Sequence, residues 1–208
     1  MCILSTLVVA QDAKFREDQL YFGIAYPYFA SPPQGLIQNK LSYALSAGFV
    51  RDMPISKSRR LAIGLGLGWD MAQVFTNSRF QLVSGDISTT LLEERYTRNS
   101  LQMQSISIPL ELRWRNASAQ NHAFWRVHTG ISLQLPLDFN AIFEGLDGSV
   151  NKVTLPHTGS LMRWNLYLGF NTWNISITHD LQPWATFTHF GEKQDIIFTK
   201  IGLIFFVF

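Results

Sequence analysis

Cysteine is nearly absent: the 208-residue chain holds one, Cys2. An intrachain disulfide is excluded, and so is a zinc site built on paired thiolates. Charge is sparse as well. Asp, Glu, Lys and Arg make up 15 % of the residues, against about a quarter in an ordinary soluble domain. A net charge of +2, with Arg59-Arg60 as the densest cluster, leaves no electrostatic footprint for nucleic acid. Long hydrophobic runs are missing too. Stretches such as Ile201–Phe208 fall far short of the ~20 residues a spanning helix needs, and mean hydropathy is only +0.06. Yet 47 % of the residues are hydrophobic and 13 % aromatic. A chain of one-domain length with this balance is either soluble or crosses lipid on β-strands.

The segment Cys2–Ala10 (CILSTLVVA) is apolar, ends in a small residue and is followed by Gln11-Asp12-Ala13-Lys14. That order matches the hydrophobic region and cleavage site of a secretory signal peptide. No basic residue precedes it, which an upstream start codon would explain. The alternative is a short apolar N-terminal strand. On the export reading residues 1–10 are a signal remnant, and 11–208 form one domain without cysteine.

Period-two alternation runs through most of the chain. Leu61, Ile63, Leu65, Leu67 and Trp69 lie on one face of a strand, with Ala62, Gly64, Gly66, Gly68 and Asp70 on the other. Leu41–Phe49, Ser105–Trp114, Trp125–Leu135, Met162–Phe170 and Trp173–Thr178 repeat the pattern. A first strand near Leu20–Tyr28 and a last near Ile196–Phe208 bring the expected count to eight. The last strand is apolar on both faces, so its facing stays open. The connections alternate between long (27–40, 76–100, 138–160, 183–195) and short (51–60, 115–123, Asn171-Thr172). Outer-membrane barrels combine short periplasmic turns with longer extracellular loops, and this alternation predicts periplasmic termini. Trp114, Trp125 and Trp173 fall beside the short turns, and Trp69, Trp164 and Trp184 near the long ones. Two girdles of amphipathic rings at the headgroup layers are the expected result.

A soluble carrier barrel would show the same alternation with its large residues inside. Eight strands enclose a lumen just wide enough for side chains or one small ligand, and four or five large apolar residues per strand would overfill it. The Ala62-Gly64-Gly66-Gly68 face would in turn be a poorly charged soluble exterior. Lipid outside is the better assignment.

Three blocks carry a family resemblance. Gly48-Phe49-Val50-Arg51-Asp52-Met53-Pro54-Ile55-Ser56-Lys57-Ser58-Arg59-Arg60 resembles a turn of PorT-like outer-membrane β-barrel proteins of Bacteroidota. Ile108–Arg115 and Phe124–Gly130 are similar to later blocks of that family, and the resemblance extends from about Leu20 to Phe208. It implies an eight-stranded barrel inserted by the outer-membrane assembly machinery, with a role in type IX secretion and gliding. Other secretion-system proteins would then be its partners. The ending Phe205-Phe206-Val207-Phe208 is similar to the terminal-aromatic signal that this machinery reads. Lys200 departs from the pattern, because it shares parity with Phe206 and Phe208 and would need to snorkel if all three faced lipid.

Asp70, Glu111, Arg113, Arg126, His128 and Arg163 fall on the lumenal parity. Carboxylates and guanidiniums make strong charge-assisted hydrogen bonds, so a polar plug that rigidifies the barrel is expected, with an ion path as the sharper alternative. Arg51 and Asp52 sit at a predicted periplasmic turn, where they could dock a partner or merely cap the turn. The 76–100 connection is long enough to fold over the barrel mouth or touch a neighbour. Ser84 or Ser160 with His157 and Asp86 is the best hydrolase set the loops could assemble. No nucleophile elbow or His-Glu-x-x-His motif supports it. His122, His128, His157, His179 and His189 are isolated from one another. The expectation is an all-β, eight-stranded, up-and-down transmembrane barrel in contact with outer-membrane lipid. It would be non-enzymatic, without cofactor or metal, and without nucleic acid as a partner. A stand-alone OmpX/OmpA-like structural or adhesion barrel binding through external loops is the alternative to the secretion role.

Overall fold

The computed structural model describes residues 18–58, 60–116, 125–170 and 172–207. The expected signal remnant 1–10, most of the 115–123 connection, Asn171 and Phe208 lie outside them. The strands in chain order begin with β1 (Gln19–Phe29), β2 (Tyr43–Pro54), β3 (Leu61–Phe75), β4 (Ser78–Val83) and β5 (Asp86–Leu91). There follow β6 (Arg98–Arg115), β7 (Trp125–Glu144), β8 (Val150–Thr154) and β9 (Leu161–Phe170). The chain ends with β10 (Trp173–Asp180), β11 (Thr186–His189), β12 (Glu192–Asp195) and β13 (Phe198–Val207).

Strands β1, β2, β3, β6, β7, β9, β10 and β13 close into an eight-stranded antiparallel barrel, as the alternation predicts. β13 returns to β1 with Leu20 opposite Val207 and Phe29 opposite Phe198. A path across the ladders leaves β2 at Asp52, passes Gly64, Glu111, Gly130, Asn165, Thr178 and Lys200, and reaches β1 at Pro27. Val50, two residues before Asp52, lies opposite Gln19, so one circuit climbs ten residues: eight from Gln19 to Pro27 and the two from Val50 to Asp52. Such a stagger accompanies strands tilted by about 35–45°.

The outer wall is apolar and uncovered. Leu65 is 48 % exposed and Leu67 59 %, whereas Ala62 behind them is 2 % exposed. A soluble carrier barrel would invert these values, and that alternative is set aside. Leu65→Arg places a charge on the lipid wall and is expected to cost about 2–4 kcal/mol of stability near the bilayer midplane. Urea unfolding from phosphatidylcholine vesicles measures it, and an unchanged midpoint would contradict the outward placement. The last strand now has a facing: Ile201, Leu203 and Val207 point out, while Lys200, Ile204 and Phe206 are buried inside. Lys200 therefore does not snorkel through lipid.

The strands run well past the lipid band on the side of the long connections, and there the alternation inverts. On β6, Leu101 and Met103 are buried inward while Gln102 and Gln104 share the outward face. From Ser105 onward the inward residues are polar apart from Pro109, and Ile106, Ile108, Leu110, Leu112 and Trp114 face outward. β7 makes the same switch through an irregularity opposite Gln104/Ser105, after which Phe139 and Ala141 are buried. Water outside selects apolar-in, and lipid outside selects apolar-out. Trp69, paired with Ile106, marks the boundary.

The long connections are folded rather than bare. β4, β5, β11 and β12 form a second, four-stranded sheet, in which β11 joins β5 in parallel. β8 extends β7 beyond the barrel. Leu36, Phe80, Ile87, Leu155, Trp184 and Phe187 from these segments share one buried cluster with Phe29, Leu101, Met103, Phe139 and Phe198 of the barrel mouth. Phe80 packs on Phe187 at 5.3 Å and Phe139 on Trp184 at 6.3 Å between ring centroids. The barrel is capped, with an apolar core between lid and mouth.

Candidate functional site

Below the apolar mouth the lumen is packed with polar side chains in two groups. Nearer the short turns, Arg113 is the hub. Its guanidinium donates to Asp52 and to Gln19, and its Nε donates to His128 Nδ1 at 3.2 Å. Glu111 lies 3.4 Å from the same Nε, and Arg115 reaches the second Asp52 oxygen at 3.1 Å. Arg126 is buried at this end as well. Phe206 closes the group from above: the Arg113 guanidinium lies 5.2 Å from its ring centre, and His128 meets its edge. Tyr21 and Tyr167 complete this aromatic layer, at 6.4 and 6.0 Å from Phe206.

The glycines of β3 make this filling possible. A Cβ on Gly68 would lie 2.0 Å from the Tyr21 hydroxyl, and one on Gly64 would lie 2.6 Å from Arg113 Cδ. The small-residue face is thus the seat of large side chains that reach across from other strands.

Arg163 centres the second group. Its Nε donates to Asp180 at 2.6 Å and its Nη1 to Asp70 at 3.2 Å. The other Asp180 oxygen accepts from Trp184 Nε1 at 2.9 Å and from the Phe198 amide at 3.3 Å. One carboxylate therefore ties the lumenal network to the cap. Between the two groups lies a cavity of about 50 Å³, bordered by Tyr21, Tyr167, Phe206, Ser132 and Lys200. At roughly 10–15 Å³ for each water, it has room for a few solvent molecules and no more.

The six charges predicted for the lumen are all inside, but in two clusters rather than one. Four further buried charges were not predicted for the lumen: Asp52, Arg115, Asp180 and Lys200. Asp52 and Asp180 do carry the inward parity of their strands. The structure corrects the reading of Asp52, which neither docks a partner nor caps the turn, whereas Arg51 is exposed. Both belong to β2, and Asp52 is 5 % exposed with its carboxylate inside the barrel. It also corrects one member of the tryptophan girdles. Trp69, Trp114, Trp125, Trp164 and Trp173 are exposed on the outer wall, whereas Trp184 is 2 % exposed in the cap core. Trp184 lies beyond the end of β10, so membrane parity no longer governs it.

In the cap, His189 joins three segments. Its Nδ1 accepts from the Thr89 hydroxyl at 2.7 Å, and its Nε2 donates to the Gln34 carbonyl at 2.8 Å. At the β7–β8 turn, the Ser149 hydroxyl and amide bond to Asp147 and hold its carboxyl below the usual range. The hydrolase set is only partly gathered. Asp86 and His157 line one open groove of about 290 Å³, which neither Ser84 nor Ser160 lines, and His157 Nδ1 donates to the Thr158 carbonyl at 2.8 Å. Among the described residues no three His, Cys, Asp or Glu side chains converge as metal ligands.

A closed eight-stranded barrel with an apolar outer wall, aromatic rims and a filled polar interior defines an integral membrane β-barrel of the outer-membrane class. A family model described as "Outer membrane protein beta-barrel domain" matches residues 9–182, and the chain belongs to that family. Two solved structures of Ail, the attachment invasion locus protein of Yersinia pestis, are similar over most of the chain. The first, in complex with the heparin analogue sucrose octasulfate, shows 11 % identity and a TM-score of 0.35, covering 91 % of this chain and 99 % of Ail. The second shows 12 % identity and a TM-score of 0.32, covering 90 % and 97 %. No curated protein matches the chain.

Proposed function

We propose that the protein is a non-enzymatic outer-membrane barrel that acts through its external cap, as a stand-alone adhesion or structural barrel. The termini are periplasmic and the cap extracellular in this reading. The observation that supports it is the placement of ordered structure: the lumen is filled, while the long connections build a second sheet that shares an apolar core with the barrel mouth. A rigid platform outside the membrane is suited to binding, and a lumen with a 50 Å³ void is not suited to passing a substrate.

The second reading is an accessory role in type IX secretion, favoured by the Gly48–Arg60 and Ile108–Arg115 blocks. One deletion strain separates the two. Loss of surface attachment with cargo export intact is the expected result. Arrested export with attachment unchanged would transfer the assignment to the secretion machinery. Lipid hydrolysis or acyl transfer that disappears in His157→Ala would overturn the non-enzymatic reading.

A further inference from the structure

The connection between β2 and β3 differs in charge pattern from the long connections on the other rim. Within residues 51–60 the single acidic residue is Asp52, and its carboxylate is consumed inside the barrel by Arg113 and Arg115. Arg51, Lys57 and Arg60 are exposed. The outer face of this turn is therefore cationic only. Three of the four long connections mix signs instead, with Glu93 and Glu94 beside Arg95 and with Glu192 and Asp195 flanking Lys193, while 27–40 carries Lys40 alone.

Apolar side chains interleave with these cations. Met53 is 43 % exposed and Ile55 54 %. Arg51 and Met53 share the outward parity of Phe49, so the cationic face continues the lipid-facing wall. Met53 pairs with Ile63, which pairs with Leu112, one outward position from Trp114 at the short-turn rim. The turn is also held in shape. The Ile55 and Ser56 amides both donate to the Leu61 carbonyl, the Leu61 amide donates to Ser56 Oγ at 3.1 Å, and the Arg115 amide donates to the Arg60 carbonyl at 2.9 Å.

Cations at headgroup height, separated by apolar groups that dip toward acyl chains, match an anionic lipid surface better than bulk water. An acidic protein would meet the cations but leave Met53 facing lipid. We propose that this face binds the anionic headgroups of phospholipids in the leaflet that meets the short-turn rim. Each cation near an anionic surface raises the preference about fivefold. The inference rests on the membrane-barrel reading but not on which way the barrel is inserted, because a symmetric bilayer offers the same lipid to both rims.

The test uses the full chain folded in nanodiscs of mixed phosphatidylcholine and phosphatidylglycerol, with lipids retained on the barrel counted by native mass spectrometry. Several-fold enrichment of phosphatidylglycerol is expected for the wild type. It should fall with added salt, vanish in Arg51→Gln/Lys57→Gln/Arg60→Gln, and persist in the long-connection control Lys152→Gln/Lys193→Gln. Equal enrichment in the wild type and the turn variant overturns the proposal, as does salt-insensitive enrichment. Capture of an acidic protein by this turn without phosphatidylglycerol enrichment would assign the face to a protein partner instead. A chain that fails to insert and shows no heat-dependent gel shift would count against the barrel itself, a different result from any of these.

Discussion

Asparagine in place of Asp52 is expected to destabilise the barrel by about 3–5 kcal/mol, the cost of breaking a buried ion pair from one side. Asp52 is the shared anion for Arg113 and Arg115, both buried and both at hydrogen-bond distance. The amide keeps the size and one acceptor oxygen but removes the charge, so two guanidiniums remain in the lumen with less compensation. The neighbouring Arg51→Gln removes a charge of opposite sign from the exposed face of the same strand, and should change stability by no more than about 0.5 kcal/mol. Urea titration in lipid, read on the heat-shifted gel band, gives both numbers. Equal effects for the two variants would mean that Asp52 is solvated at the rim, as a docking turn would have it.

Removal of the Trp184 indole should cost about 3–5 kcal/mol, in the range for truncating a buried large aromatic. Two losses combine. Trp184→Ala leaves a void against Phe139 in the cap core, and it takes a donor from Asp180. Asp180 also holds Arg163, so the loosening should extend into the lumen. The comparison is Trp173→Ala: that ring is 64 % exposed on the outer wall, with Phe205 as its ring partner. It should cost much less, and only in lipid. Limited proteolysis of the cap, followed beside the unfolding curves, distinguishes them. A cap as resistant in Trp184→Ala as in the wild type would show that the lid does not depend on this anchor.

Both predictions turn on contacts that alternation does not reveal, because alternation is a local property. It says which face of a strand a residue occupies, and that rule is reliable inside the bilayer, where one solvent covers one face along the whole strand. It sorted Leu65 from Gly64, and Trp173 from Asn174. It could not sort β13, whose inner face carries Ile204 and Phe206, packed with Tyr21 and Tyr167 in the lumen, with His128 against the Phe206 ring. It also failed above Ser105, where lipid gives way to water outside and to a lid inside. Leu101 and Met103 precede the strand expected from Ser105, and Phe139 falls in the connection expected over 138–160, although all three continue the same strands.

The chain by itself determines the barrel: eight strands, the side that faces lipid, the rims with short turns, and a narrow polar interior. The strands, their lipid side and the polar interior follow from residue type at a spacing of two, and the short-turn rim from the alternating lengths of the connections. Only the tertiary structure decides that Asp52 meets Arg113 across 61 residues of chain, that Lys200 points inward, and that four loop segments join into a lid. The reason is the stagger of the closed sheet. A circuit that climbs ten residues sets which inward side chains share a level, and no single strand carries that information.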